Sequence, residues 1–237
     1  MSGFVARRLD PSERAGLRLT LLGLGFGLLS LLLIPLGLLV RDQWGPLARL
    51  DTHTDAAVHP VVVAHDWLRV LALVVTWAGS PVAVEVTTAL LVLLLLSRRR
   101  RRSALYLGVS VGGAYLLSTI GKVSVARVRP SFPDPVSHAR GASFPSGHAT
   151  GSAAFGLALA IVLLSVVSWR RLLFALAFLF ALAVAASRVL LGVHYPSDVA
   201  AGLLVGWGWV AACTALFSAW RAEEGRPAPV LEEGVEA

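Results

Sequence analysis

One cysteine, one lysine and little charge of either sign characterise this chain. Cys213 stands alone in an apolar stretch, so no disulfide can form within the chain and no cysteine cluster can hold a metal. Lys122 is the single lysine; the other twenty basic residues are arginines. Charged residues make up 15% of the 237 positions, against about 25% in a soluble domain. The six histidines contain no HxxxH or HExxH pair, which argues against a helical metal site. No small-residue cleavage site follows the first apolar run, and that run is too long for a signal-peptide core, so no removable signal is expected.

Apolar residues dominate instead. The chain is 56% hydrophobic, with a mean hydropathy of +0.73. Its apolar runs reach membrane-spanning length, which predicts an all-α, polytopic integral membrane protein built as one helical bundle. Basic residues cluster at Arg7, Arg8, Arg14 and Arg18, at Arg98 to Arg102, at Arg170-Arg171, and at Arg221 and Arg226. Under the positive-inside rule these mark cytoplasmic ends. The five-arginine run is wedged between apolar segments, so it reads as a membrane boundary and no nucleic-acid partner is expected.

These boundaries predict six transmembrane helices with both termini cytoplasmic. A cytoplasmic segment, 1–16, precedes a membrane domain over 17–220, and 221–237 reads as a disordered cytoplasmic tail. The first span is Leu17 to Val40. Arg41 to Asp66, with Pro46, Pro60 and four aspartates, reads as a loop with short helical pieces. Trp67 to Ser97 is too long for one simple span, at ~46 Å as a helix. Gly79-Ser80-Pro81 breaks it into an outer interfacial helix and an inward span. Ser103 to Gly121, Ala149 to Val167, Leu172 to Leu191 and Ser197 to Ala219 supply the remaining spans. This layout puts a long loop, Lys122 to Gly147, and the turn Gly192 to Pro196 at the outer face.

Three polar clusters fall at that face. Lys122 and Arg129 are seven residues apart, about two helical turns, so a helix ending at Pro130 would point both one way. A lysine point charge beside an arginine fork suits a phosphate with several oxygens. Pro145-Ser146-Gly147-His148 opens a helix, where free N–H groups and the Ser146 hydroxyl can bind an anion and Gly147 lets the backbone come close. Arg188 is a costly charge near the end of an apolar helix, so it should face a partner or a cavity. His194 and Asp198 are four apart. If the chain turns through Tyr195-Pro196 into a helix, Asp198 can fix the imidazole tautomer and leave the other nitrogen as a nucleophile.

Other polar residues carry less. His53, His59 and His65 fall in the first outer loop, where solvated positions are the default. His138 is a peripheral candidate in the site loop. Glu85 reads as interfacial, and Ser124 and Arg127 as rim residues.

Taken together, Lys122-x6-Arg129-Pro130, Pro145-Ser146-Gly147-His148 and Ser187-Arg188-x5-His194-x3-Asp198 resemble the three-part signature of the type 2 phosphatidic acid phosphatase superfamily. The resemblance covers roughly Pro81 to Ala219. It implies a six-helix membrane lipid phosphatase that uses neither metal nor cofactor. In that pattern the residue at His194 attacks phosphorus and forms a phosphohistidine. Asp198 orients it, and His148 protonates the leaving oxygen. Lys122, Arg129, Ser146, Gly147 and Arg188 hold the phosphate. The partners implied are the bilayer and a membrane lipid phosphate, at the outer face of a bacterial plasma membrane. Undecaprenyl diphosphate is the favoured substrate, because the chain is small and lacks an added soluble domain. Phosphatidylglycerophosphate and phosphatidic acid are alternatives. A lipid phosphotransferase, a non-catalytic lipid-binding or translocating protein, and a vanadate-dependent peroxidase are the rival classes.

Overall fold

A computed structural model of the chain describes residues 25, 27, 31–164 and 167–223. Those residues form helices and connections, with no strand among them. In chain order the helices are α1 (Leu31–Arg41), α2 (Gly45–Ala64), α3 (Asp66–Ala78), α4 (Pro81–Ser97), α5 (Arg101–Val125), α6 (Gly147–Leu163), α7 (Arg170–Leu190) and α8 (Pro196–Glu223).

Four described segments are long and apolar enough to cross a membrane: Asp66–Ser97, Arg101–Val125, Arg170–Leu190 and Pro196–Phe217. Helices α1 and α6 are apolar but shorter. Leu90, Leu93, Leu116 and Leu179 are exposed on the spans, as side chains facing lipid should be. Residues 1–16, half of the first expected span, and the tail beyond 223 lie outside the described residues. Helix α8 continues to Glu223, three residues into the stretch read as tail.

Helix α6 is the centre of the bundle and packs against α5, α7 and α8. Its buried residues are small: Ala149, Gly151, Ser152, Ala153, Ala154, Gly156 and Ala158 are among them. Small residues let backbones approach, the usual basis of helix association in a membrane. The partner face on α8 is Gly202-Leu-Leu-Val-Gly206. A Cβ at Gly202 would lie 2.6 Å from the Ser146 carbonyl oxygen, and one at Gly206 would lie 2.6 Å from that of Thr150. The start of α8 is therefore held directly against the start of α6.

The expected break between α3 and α4 is present. Ser80 caps α4 by accepting the Ala83 N–H at 3.2 Å, and Pro81 occupies the first helical turn, where its missing N–H costs nothing.

Two expectations fail. Residues 41–66 are not mainly loop, because α2 covers twenty of them. Its buried face is Asp51, Asp55, His59 and Val62, at helical spacing. The period is there, but ionisable residues carry it, so a search for apolar periodicity passes over it. Helix α5 also ends earlier than expected, at Val125. Ala126 adopts a left-handed conformation, φ 51°, and donates its N–H to the Lys122 carbonyl. Lys122 is therefore on a helix and Arg129 on a loop, and they do not share a helical face.

Candidate active site

The bundle brings three chain segments to one end. The end of α5 carries Lys122, and the following loop returns Arg127 and Arg129. Residues 145–148 open α6. The turn between α7 and α8 passes through Gly192, at φ 64°, and presents His194. A bond from the Ser146 N–H to the Asp198 carbonyl, 3.0 Å, joins the last two segments.

His194 is buried, at 1% exposure. Its Nε2 lies 2.9 Å from Nη1 of Arg129. A guanidinium can only donate, so Nε2 must accept, and the ring proton is assigned to Nδ1. Nδ1 faces Oδ2 of Asp198 at 3.5 Å, an ion-pair distance too long for a well-formed hydrogen bond. The same Oδ2 accepts the Tyr195 N–H at 3.0 Å. Burial lowers the His194 pKa to about 4, against the partial compensation of Asp198. The imidazole is thus neutral at neutral pH, with a lone pair on Nε2 turned toward the cations.

Those cations are held by neutral oxygens. Lys122 Nζ donates to the carbonyls of Ala142 (3.1 Å) and Pro145 (3.0 Å). Arg129 donates to the carbonyls of Gly141 (3.0 Å), Ala142 (3.1 Å), Arg140 (3.3 Å) and Val193 (2.7 Å). The shared Ala142 carbonyl brings the two cations together although they do not share a helix. Arg188 is 5% exposed; its Nη1 donates to Thr76 on α3 at 2.7 Å, and its Nε has no partner. Among the described residues no carboxylate makes an ion pair with Lys122, Arg129 or Arg188.

Ser146 precedes α6, yet its hydroxyl caps nothing. It is fully buried and has no hydrogen-bond partner. Gly147 is next to Lys122: a Cβ there would be 3.9 Å from Lys122 Cε. His148 is half-buried on the first turn, within electrostatic range of Arg188, His194, Arg129 and Lys122. The eight expected site residues therefore converge on one end of the bundle. His138 does not join them; it is exposed and lines a cavity of about 250 Å³ beside Arg129, Phe132 and Val193.

Residues the sequence reading undervalued lie behind His194. Arg127 is no rim residue. Its Nη1 donates to Asp198 Oδ1 and to Ser197 Oγ, each at 2.7 Å, and its Nη2 donates to Asp51 Oδ2 at 2.7 Å. Burial alone would lower the Arg127 pKa, but Asp198 and Asp51 more than reverse this and raise it. Asp55 is buried with both carboxylate oxygens unpartnered. Burial, followed by Asp51 and Asp198, raises its pKa to about 7. His59 is not solvated either. It stacks on Phe132 at 3.8 Å and bonds Asp134 at 2.9 Å. The signal available in the sequence was the spacing Asp51, Asp55, His59, one helical face.

A buried neutral imidazole among cations without carboxylate partners, beside a free serine hydroxyl, is a site shaped for an oxyanion. The sequence comparison agrees: the PAP2 superfamily profile matches residues 103–222, half of the chain.

The chain belongs to the PAP2 superfamily.

Similar proteins include a lipid A 1-phosphatase of Rhizobium etli, 37% identical over 120 residues, covering 47% of this chain and 48% of that protein. Another is phosphatidylglycerophosphatase B of Bacillus subtilis, 27% identical over 150 residues, covering 62% and 73%. The chain thus spans about half the length of the lipid A phosphatase it matches. The crystal structure of a transmembrane PAP2 type phosphatidylglycerolphosphate phosphatase from Bacillus subtilis superposes with a TM-score of 0.70 at 24% identity, covering 83% of this chain and 94% of that one. That likeness shows that the two chains share a fold.

Proposed function

We propose that this protein removes phosphate from a membrane lipid through a covalent histidine intermediate. The observation that carries the reading is His194: buried, neutral, its Nε2 turned to Arg129 and its Nδ1 to Asp198. On substrate binding, the phosphate oxygens take donors from Lys122, Arg129, Arg188, the Ser146 hydroxyl and the N–H groups at the start of α6. Arg129 then yields Nε2, which attacks phosphorus. The N–P bond forms as the P–O bond to the lipid breaks, and His148, protonated once the bound phosphate's negative charge offsets the surrounding cations, gives that proton to the leaving oxygen. Water next attacks the phosphohistidine, His148 takes a proton from it, and inorganic phosphate leaves with His194 restored.

The protein is proposed to work with the site at the outer membrane face, both termini in the cytoplasm, and 17–220 as one catalytic domain. The arginine clusters support this orientation. Labelling of Pro133→Cys in a Cys213→Ser background should occur in intact cells; labelling only after permeabilisation would reverse it. No step needs a metal, so activity should survive EDTA. Complete loss with EDTA, restored by a divalent ion, would contradict this.

Undecaprenyl diphosphate is the first lipid to test. The names of the relatives add phosphatidylglycerophosphate and the 1-phosphate of lipid A, and phosphatidic acid completes the panel. Phosphate release by detergent-purified protein should favour one of the four strongly. Release from none would defeat the phosphatase reading and favour a transferase that needs an acceptor, or a lipid-binding protein.

A further inference from the structure

Resting on the reading above, we infer that Arg127 is a positioning residue: anchored by Asp51 and Ser197, it locks the Asp198 carboxylate directly in the orientation that directs His194. Asp198 is wholly buried, and a carboxylate on a single Cβ–Cγ bond turns freely unless both oxygens are held. Here both are. Arg127 holds Oδ1 at 2.7 Å and the Tyr195 N–H holds Oδ2 at 3.0 Å, which leaves a lone pair of Oδ2 facing His194 Nδ1.

Arg127 is itself held on three sides, by Asp51, Ser197 and the Tyr195 ring. Its second nitrogen is 2.7 Å from Asp51, and its plane lies over the Tyr195 ring, 4.0 Å from the centroid. Asp51 also accepts the Ser197 N–H (3.0 Å) and hydroxyl (2.6 Å), so α2 is tied to the first turn of α8, where Asp198 begins. One planar fork thus joins two buried carboxylates from two helices. A lysine ammonium has the charge but not the fork. None of the side-chain bonds of Arg127 goes to Lys122, Arg129, Arg188 or Ser146, so it acts through Asp198 and not on the phosphate.

The test compares purified wild type, Arg127→Lys, Asp51→Asn and His194→Ala on the preferred lipid, reading kcat, KM, inhibition by inorganic phosphate, and thermal unfolding. Misdirection of the nucleophile predicts a kcat loss of ~10- to 100-fold in Arg127→Lys. Asp51→Asn should lose about tenfold, since Arg127 keeps Asp198 but loses its second anchor. In both, KM and the phosphate inhibition constant should stay within about threefold of wild type, because ground-state binding is intact. If Arg127→Lys does not fold, Asp51→Asn decides on the same readouts. Variants with wild-type kcat would overturn the inference alone. So would a loss confined to KM and phosphate inhibition, which would make Arg127 a phosphate ligand. A silent wild type would instead defeat the functional reading, and this inference with it.

Discussion

Arg127 and Arg129 stand two residues apart on one loop and use their donors in opposite ways. Arg127 bonds two carboxylates, Asp51 and Asp198. Arg129 bonds backbone carbonyls and one imidazole nitrogen. Lys122 follows Arg129 in its choice of partners, and Arg188 has a hydroxyl. A cation paired with a buried carboxylate is already neutralised. One held by neutral oxygens keeps its charge for a ligand. His194 is the boundary between the two sides, with Nδ1 toward the carboxylates and Nε2 toward the free cations. The division separates the arginines proposed to bind substrate from the one proposed to build the site, a distinction that arginine counts and spacing cannot make.

Several variants would break or sharpen that division. Removing the boundary has the largest effect: His194→Ala should lose phosphate release by ~10⁴-fold or more while its elution and thermal unfolding stay near wild type. On the free-cation side, Arg129→Ala should lose about 10²- to 10³-fold in kcat/KM, the usual result of deleting a transition-state oxyanion donor. It should also lose stabilisation by added phosphate, which raises Tm only where an anion binds the folded state. On the carboxylate side, Asp198→Asn should lose roughly 10²-fold in kcat with little change in phosphate inhibition. Equal shifts of KM in Arg129→Ala and Asp198→Asn would dissolve the division. Ser146→Ala should be milder, about tenfold in kcat/KM. Its hydroxyl bonds nothing in the free protein, so unfolding should barely change.

The smallest expected effect is a pH dependence. The His194 pKa falls from 6.5 to about 4 on folding, so the unfolded chain holds more protons there and stability is lost as pH drops through that window. Asp55 runs the other way. Its pKa rises from 3.8 to about 7, so its contribution is lost as pH rises through that range. The two nearly cancel between pH 4 and 6.5. Asp55→Asn removes one of them and should make thermal stability fall visibly on acidification across that window. An unchanged profile would mean that Asp55 does not titrate as its burial implies.

The three polar clusters were legible in the sequence because charges are rare in it, and a rare charge between apolar runs must have a partner or a cavity. The helices around them were legible for the same reason. What could not be read was contact across the fold. Arg127 and Arg129 are the same residue type on the same loop, and only the placement of α2 and α8 around them separates their partners. Helix α2 itself was hidden, since its buried stripe is Asp51, Asp55 and His59 and not leucine. The turn at Ala126 was hidden too, because alanine carries no signal for a left-handed conformation. The seven-residue spacing of Lys122 and Arg129 suggested a shared helical face, whereas the real link is a shared carbonyl, that of Ala142.

The covalent role of His194 is central, and an alkaline denaturing quench of purified protein turning over a lipid labelled in its phosphate tests it most directly. Wild type should hold label through an acid-labile, base-stable bond, assigned to His194 by peptide mapping and missing from His194→Ala. Label on another residue, or label retained by His194→Ala, would contradict it.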